Sequence, residues 1–264
     1  LWRGRRNRSN FSDRMTLPAS FFARPITHRA LHDRKAGRVE NSLKSIKAAI
    51  ATGYGIEIDV QLTSDGHAMV FHDDQLDRLT DETGPVRNRS RQDLEAVILT
   101  DDGGTIPSLE TVLGLVAGQV PLLIEIKDQD GAMGPNVGPL EQATCAALKN
   151  YTGDVALMSF NPYAVAKCAQ LAPDIPRGIT TSSYESTFWP EVPAETRDTL
   201  RTIPDYDRTG SCFISHESTD LDRPRVAELK SKGAHIFTWT IRSAKAEADA
   251  RRIVDNITFE GYLA

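Results

Sequence analysis

The chain has 264 residues, 40% of them hydrophobic and 25% charged, enough to bury one sizeable core and within the range of a single α/β barrel. A formal net charge of −5 excludes a whole-protein attraction to nucleic acid or to an anionic membrane surface. Cys145, Cys168 and Cys212 form no CxxC pair and no metal-ligand spacing; they read as buried free thiols, and with no secretion signal visible a cytoplasmic setting is expected.

The first ten residues hold four arginines and precede a short apolar patch, LPASFF, too brief for a signal-peptide core or a membrane span. Residues 1–24 therefore read as a basic, poorly ordered arm, and 25–264 as one domain. An extended run at 25–29 ends in His28 and Arg29. A helical pattern follows from Asn41, read as its N-cap, to a terminating Gly53.

Residues 55–60 alternate aliphatic and acidic side chains, so that Glu57 and Asp59 share one face of a strand. Two carboxylates about 7 Å apart on a buried face each cost several kcal/mol unless a cation or donors compensate. A divalent metal is the simplest compensation. Ser64-Asp65-Gly66 then reverses the chain, and a turn centred on Asp65-Gly66 would place His72 directly across from Asp59.

A polar, Arg-rich connection occupies residues 76–102, with a short helix capped by Ser90, and reads as an excursion with little structure of its own. Regular alternation resumes with a helix capped by Ser108 and a strand at 121–127 that turns Glu125 and Lys127 inward. Further strands are expected at 155–160, 177–180, 212–216, 235–240 and 256–260, and helices at 138–150, 162–172, 222–232 and 243–254. Eight such repeats predict a (β/α)8 TIM barrel, because parallel strands need helical crossovers and closure removes both edges. An open doubly wound sheet is the runner-up, but no GxGxxG follows the first strand.

In a barrel, His28, Arg29, Glu57, Asp59, Glu125, Lys127, His216 and Trp239 all lie near the carboxyl ends of strands, where barrels keep their sites. Glu57, Asp59 and Glu125 are hard oxygen ligands suited to Mg2+ or Ca2+. Arg29 and Lys127 offer positive charge to an anionic substrate, and His28 and His72 can carry protons near neutral pH. The set specifies phosphoester cleavage. His216 and Trp239 read equally as substrate contacts or as packing at the barrel mouth.

The motifs Ile26-Thr27-His28-Arg29, Glu40-Asn41, Glu57-Ile58-Asp59-Val60, Thr63-x-Asp65-Gly66, His72-Asp73, Leu76-x-Arg78-x-Thr80, Ile106-Pro107-Ser108-Leu109 and Glu125-Ile126-Lys127 resemble the glycerophosphodiester phosphodiesterase family in order and approximate spacing. The resemblance is dense over residues 25–127 and thins beyond, where Ser159-Phe160 and Thr238-Trp239-Thr240 still look like the family's later strand ends. It implies a TIM barrel with an insertion at about 73–106, and a divalent cation, Mg2+ or Ca2+, held by Glu57, Asp59 and Glu125. It also implies a His28/His72 acid–base pair, and Arg29 and Lys127 on the phosphate. The implied reaction is hydrolysis of a small glycerophosphodiester to glycerol 3-phosphate and an alcohol. Alternatives from the same residues are a lysophospholipase D-type diesterase, marked by an acyl-sized groove, and a phosphodiester-binding module without catalysis. The chain departs from the family's His-Arg-Gly start, with Ala30, and from its closing Thr-Asp pair, with Thr258-Phe259-Glu260.

Overall fold

A computed structural model describes residues 15–264. Eight parallel strands close on themselves: β1 (Ile26–Thr27), β2 (Gly55–Leu62), β4 (Leu122–Ile126), β5 (Val155–Ser159), β6 (Arg177–Thr181), β7 (Phe213–Glu217), β8 (His235–Ile241) and β9 (Asn256–Phe259). β1 pairs with both β2 and β9, which completes the ring. β3 (Ala68–Val70) is antiparallel to the far end of β2. A short helix, α1 (Ser20–Ala23), precedes the first strand, and α2 (Leu43–Thr52) crosses from β1 to β2. Beyond the hairpin come α3 (Arg91–Ala96) and α4 (Leu109–Val116), then α5 (Pro139–Leu148) and α6 (Pro162–Leu171) as the next crossovers. The (β/α)8 barrel expected from the alternation is therefore present, and among the described residues no helix is long and apolar enough to cross a membrane.

Side-chain alternation decides what each face of the wall does. Ile56, Ile58 and Val60 of β2 point outward and bury with Ile46 of α2 and Val112 and Val116 of α4. Each such side chain contributes about 1.5–3 kcal/mol of burial. Their neighbours Glu57, Asp59 and Gln61 turn inward, and all three are buried as well. At the amino-terminal end the interior is apolar. Leu123, Met158, Phe213 and Phe237 fill it, and Phe213 lies so close to Gly178 that a Cβ there would fall 2.5 Å from the ring.

The basic arm stops earlier than 24. Residues 1–14 lie outside the described residues, but Leu17 and Phe21 are buried in the barrel's floor cluster. Asn256 donates from Nδ2 to the carbonyls of Phe21 (2.6 Å) and Arg24 (2.9 Å), so this segment plugs the barrel end. The sequence signal was the LPASFF patch, whose apolar side chains need cover.

The hairpin register differs from expectation by one residue. Val60 faces Val70 and Leu62 faces Ala68, so Phe71, not His72, stands across from Asp59 and donates its N–H to the Asp59 carbonyl at 3.0 Å. The turn has three residues between Thr63 and His67, with Gly66 at φ 84°, a conformation that glycine adopts without strain. The 73–106 insertion also has a core of its own: Leu76, Leu79, Val86 and Leu94 bury with Met69 and Phe71 of the hairpin. Ser90 caps α3 as expected, through a full capping box with Asp93.

Candidate active site

Strand ends bring the predicted residues to one cavity of about 150 Å³, lined by His28, Arg29, Glu57, Asp59, His72, Glu125, Lys127 and Trp239 together with the hydroxyl residues Thr180, Ser215 and Thr258. β2 and β4 run in register with Asp59 beside Glu125, so the three acids form one wall. Glu57, Asp59 and Glu125 each offer an oxygen, and these atoms lie within 4.8 Å of one another.

Positive charge partly answers this wall. Lys127 Nζ bridges Asp59 Oδ1 (2.7 Å) and Glu125 Oε1 (2.6 Å). Burial alone would raise the Asp59 carboxyl, but Lys127, His72 and Arg29 outweigh it and hold it far below the usual range. Glu57 has no cation of its own. Burial, with the charges of Asp59 and Glu125 adding to it, pushes its carboxyl well up, against the single N–H that Arg29 donates at 2.7 Å. Keeping all three carboxylates ionised therefore calls for a further cation, and their hard oxygen donors suit a divalent ion of the Mg2+ or Ca2+ type. The residues present fit such an ion.

Each histidine has its own carboxylate. His28 Nδ1 lies 2.5 Å from Glu260 Oε2, and His72 Nδ1 lies 2.6 Å from Asp73 Oδ1. Both pairs engage Nδ1, which leaves Nε2 as the working nitrogen of each ring. Burial lowers the His28 pKa, with the Glu260 hydrogen bond opposing it. Glu260 in turn is raised by burial but held well below the carboxylate range by His28, His32 and Arg242. His72 reaches the cavity although its register differs from expectation, because β3 ends at Val70 and His72 lies beyond it, outside the strand's alternation.

Around these groups lies a layer of contacts that sequence reading missed. Asn41 is not an N-cap; Ser42 is, accepting from the Ser45 N–H. Asn41, at φ 58° and buried, donates from Nδ2 to Asp59 Oδ2 at 2.9 Å and accepts from the Asp59 N–H at 3.3 Å. Glu40 takes Arg29 Nη1 (2.7 Å) and Arg78 Nη2 (2.7 Å), which ties the insertion to the site. The only available signal for these contacts was the position of Glu40-Asn41 within the resemblance.

Four polar atoms on the cavity have no hydrogen-bond partner within the described chain: Arg29 Nε, Thr180 Oγ1, Ser215 Oγ and Thr258 Oγ1. These three hydroxyl residues are at most 1% exposed, and Thr180 and Ser215 are register partners on β6 and β7. Buried polar groups of this kind are ordinarily paired, so they form a set of donors and acceptors aimed at whatever enters. Trp239 borders the same cavity, its Nε1 donating to the Ser215 carbonyl at 3.0 Å. His216 does not line it. Its Nδ1 meets Thr181 Oγ1 at 2.7 Å and its Nε2 meets Asp220, because alternation on β7 turns Ser215 inward and His216 away. The even choice left by sequence falls to packing for His216.

A profile of the glycerophosphoryl diester phosphodiesterase family matches residues 28–258. YhdW of Bacillus subtilis is 27% identical over 228 residues, 83% of this chain and 87% of that one. A glycerophosphodiester phosphodiesterase of Caldanaerobacter subterraneus is 33% identical over 150 residues, 53% of this chain and 60% of that one. Among solved structures, an Oleispira antarctica phosphodiesterase in complex with its product sn-glycerol-3-phosphate shares the fold, with TM-score 0.74, 23% identity and coverage of 91% of this chain and 94% of that one.

Proposed function

The chain belongs to the glycerophosphoryl diester phosphodiesterase family, and from that premise we propose that its barrel-mouth cavity hydrolyses glycerophosphodiesters to glycerol 3-phosphate and an alcohol, with His28 and His72 moving the protons. The observation that carries this reading is the pair of imidazoles, each anchored through Nδ1 by a carboxylate, on a cavity that also holds the acid wall and unpaired hydroxyls. A module that only bound the diester would not need two proton carriers held in this way.

The glycerol half fits the inner cavity, where Thr180, Ser215 and Thr258 can meet its hydroxyls, and Arg29 Nε, which has no hydrogen-bond partner and lies 3.7 Å from Asp59 Oδ2, can meet the phosphoryl oxygens. His28 takes the proton from the glycerol hydroxyl next to the phosphoester as that oxygen bonds to phosphorus, and the burial that lowers its pKa favours the form able to accept it. His72 borders both this cavity and the larger chamber outside it, so it is placed to protonate the alcohol oxygen as its bond to phosphorus breaks. In the second half the roles reverse: His72 takes a proton from water, which adds to the cyclic phosphate, and His28 returns its proton to the ring oxygen that leaves. Arg29 and Lys127 hold positive charge beside the phosphoryl group throughout. Glu57, Asp59 and Glu125 would hold the divalent cation of the family, Mg2+ or Ca2+, which when bound supplies Lewis-acid charge to the phosphoryl oxygens.

The direct test measures glycerol 3-phosphate release from a panel of glycerophosphodiesters before and after EDTA, with Mg2+ or Ca2+ added back. Release that is lost in chelator and restored by one ion is the expected result. No turnover of any member of the panel would remove the substrate class, and undiminished turnover in EDTA would remove the metal's role.

A further inference from the structure

A second cluster of metal-ligating side chains adjoins His28. His28 Nδ1 lies 2.5 Å and His32 Nε2 3.3 Å from the same atom, Glu260 Oε2, and the ligand atoms of the three residues all fall within 4.8 Å of one another. We propose that His28, His32 and Glu260 form a second metal site for a zinc-type divalent ion, and that filling it switches His28 off as a base. The site stands on these three residues alone; its inhibitory effect rests on the diesterase reading above.

The donor set separates this site from the acid wall. Two imidazoles and one carboxylate suit Zn2+ and its neighbours, whereas the all-oxygen wall suits Mg2+ or Ca2+. Ligand atoms about 2.0–2.1 Å from a tetrahedral ion stand about 3.4 Å apart. The His32–Glu260 contact at 3.3 Å already has that spacing, and the His28–Glu260 contact at 2.5 Å would open by about 0.9 Å. Three protein ligands leave a fourth position for water.

The cluster is also reachable. His32 and Glu260 line a second cavity, of about 570 Å³, and their side chains are 21% and 19% exposed. Arg242 donates to the other oxygen of Glu260, Oε1, at 2.8 Å, which leaves Oε2 to the two rings. Of the cations on that cavity, Arg34 is paired with Asp101, Arg38 with Asp33, and Lys35 is exposed to screening water. Orienting His28 needs only Glu260 and gives no use to a second imidazole on the same oxygen. His32 lies outside the motifs that carry the family resemblance, and Glu260 stands where the chain departs from the family's closing Thr-Asp pair.

Tautomerism connects the ion to the reaction. As a base, His28 keeps its hydrogen on Nδ1, donated to Glu260, and its lone pair on Nε2. An ion on Nδ1 takes the lone pair there, and the hydrogen moves to Nε2. The ring stays neutral and loses no proton. Its working nitrogen now carries a hydrogen and cannot accept one from the glycerol hydroxyl.

Cobalt(II) is the probe, because a tetrahedral, nitrogen-bound ion absorbs visible light far more strongly than one in a six-coordinate oxygen site. The protein, in excess Mg2+ or Ca2+, is titrated with Co2+, and the bound ion is then displaced with Zn2+. The same titrations are run on His32→Ala and on His32→Gln, which keeps a donor for Glu260 but no metal-binding nitrogen. Glycerol 3-phosphate release is followed in parallel, each protein against its own zinc-free rate. The expected result is intense absorption from one equivalent of Co2+ that excess Mg2+ or Ca2+ does not remove, with affinity at least about 100-fold weaker in both variants. Zinc should lower the parent's kcat at least about tenfold and leave both variants unaffected at the same concentration. Absence of intense absorption, or absorption unchanged in the variants, would overturn the site. Zinc inhibition relieved by excess Mg2+ or Ca2+ would put the ion on the acid wall and overturn the switch. His32-dependent cobalt binding in a protein that cleaves no glycerophosphodiester would uphold the site and refute the diesterase reading. Turnover insensitive to zinc, with the cobalt absorption present, would uphold that reading and refute the switch.

Discussion

Glu260 Oε2 lies 2.5 Å from His28 Nδ1, so the chain's last strand orients the imidazole carried by its first. The carboxylate raises the His28 pKa against burial, which lowers it. Replacing Glu260 by Gln removes that opposition, so His28 stays neutral to lower pH. If His28 is the base, the acidic limb of the kcat/KM profile should move to lower pH, while kcat falls by about tenfold or more as the ring loses its fixed tautomer. A drop in rate with an unmoved limb would reduce Glu260 to a packing role.

His28→Ala and His72→Ala should each slow glycerol 3-phosphate release by at least about 10²-fold. Both rings lie at the cavity edge rather than in the apolar core, so thermal unfolding should stay close to that of the parent protein. Parent-like turnover in either variant would withdraw that residue from the proton-transfer pair.

Glu40 predicts a specific acid dependence of stability. Burial raises its carboxyl, but Arg78 and Arg29 outweigh this and bring it down to about 2, from an ordinary 4.5. A depressed carboxylate contributes stability that is fully present above pH 4.5 and is lost as pH falls through 2. Every tenfold gain in acidity corresponds to about 1.4 kcal/mol, and solvent around the partly exposed Arg78 guanidinium screens some of it, so the contribution is about 2 kcal/mol. Denaturation of parent and Glu40→Gln between pH 6 and pH 2.5 should show the stability difference shrinking across that window. A constant difference would mean that the charge of Glu40 is not what stabilises the fold.

Phe21→Ala should destabilise the protein by about 3 kcal/mol, because the ring is fully buried in the barrel's apolar floor beside Phe237, with ring centroids 6.5 Å apart. The site lies at the opposite end, so kcat/KM should stay within about twofold at temperatures where the variant is folded. Unaltered urea unfolding would show that the amino-terminal plug is dispensable.

Much of the architecture was legible because it follows from alternation. Aliphatic–acidic periodicity in residues 55–60 and 121–127 implied strands with one face to the helices and one to the interior, and eight such units leave closure as the economical arrangement. The acid wall was legible for the same reason, since buried carboxylates on one face demand a cation. His216 was not, because its distance from the strand end does not say which side of the wall the side chain takes; one residue decides it, and Ser215 has the inward place.

What the sequence by itself determined was the barrel and the wall of Glu57, Asp59 and Glu125, both set by local periodicity and residue chemistry. Tertiary structure alone decided which groups complete one another across the chain. Asn41 became the partner of Asp59, Glu260 the anchor of His28 over 232 positions, and Thr180, Ser215 and Thr258 an unpaired set facing them. The hairpin shows the same division within one stretch: a three-residue turn moved the register by one place, and the chain beyond β3 still delivered His72 to the cavity. Periodicity specifies which face a side chain takes within its own element. Only ring closure brings groups from distant elements within hydrogen-bonding distance, where distance and desolvation set their charge and their use.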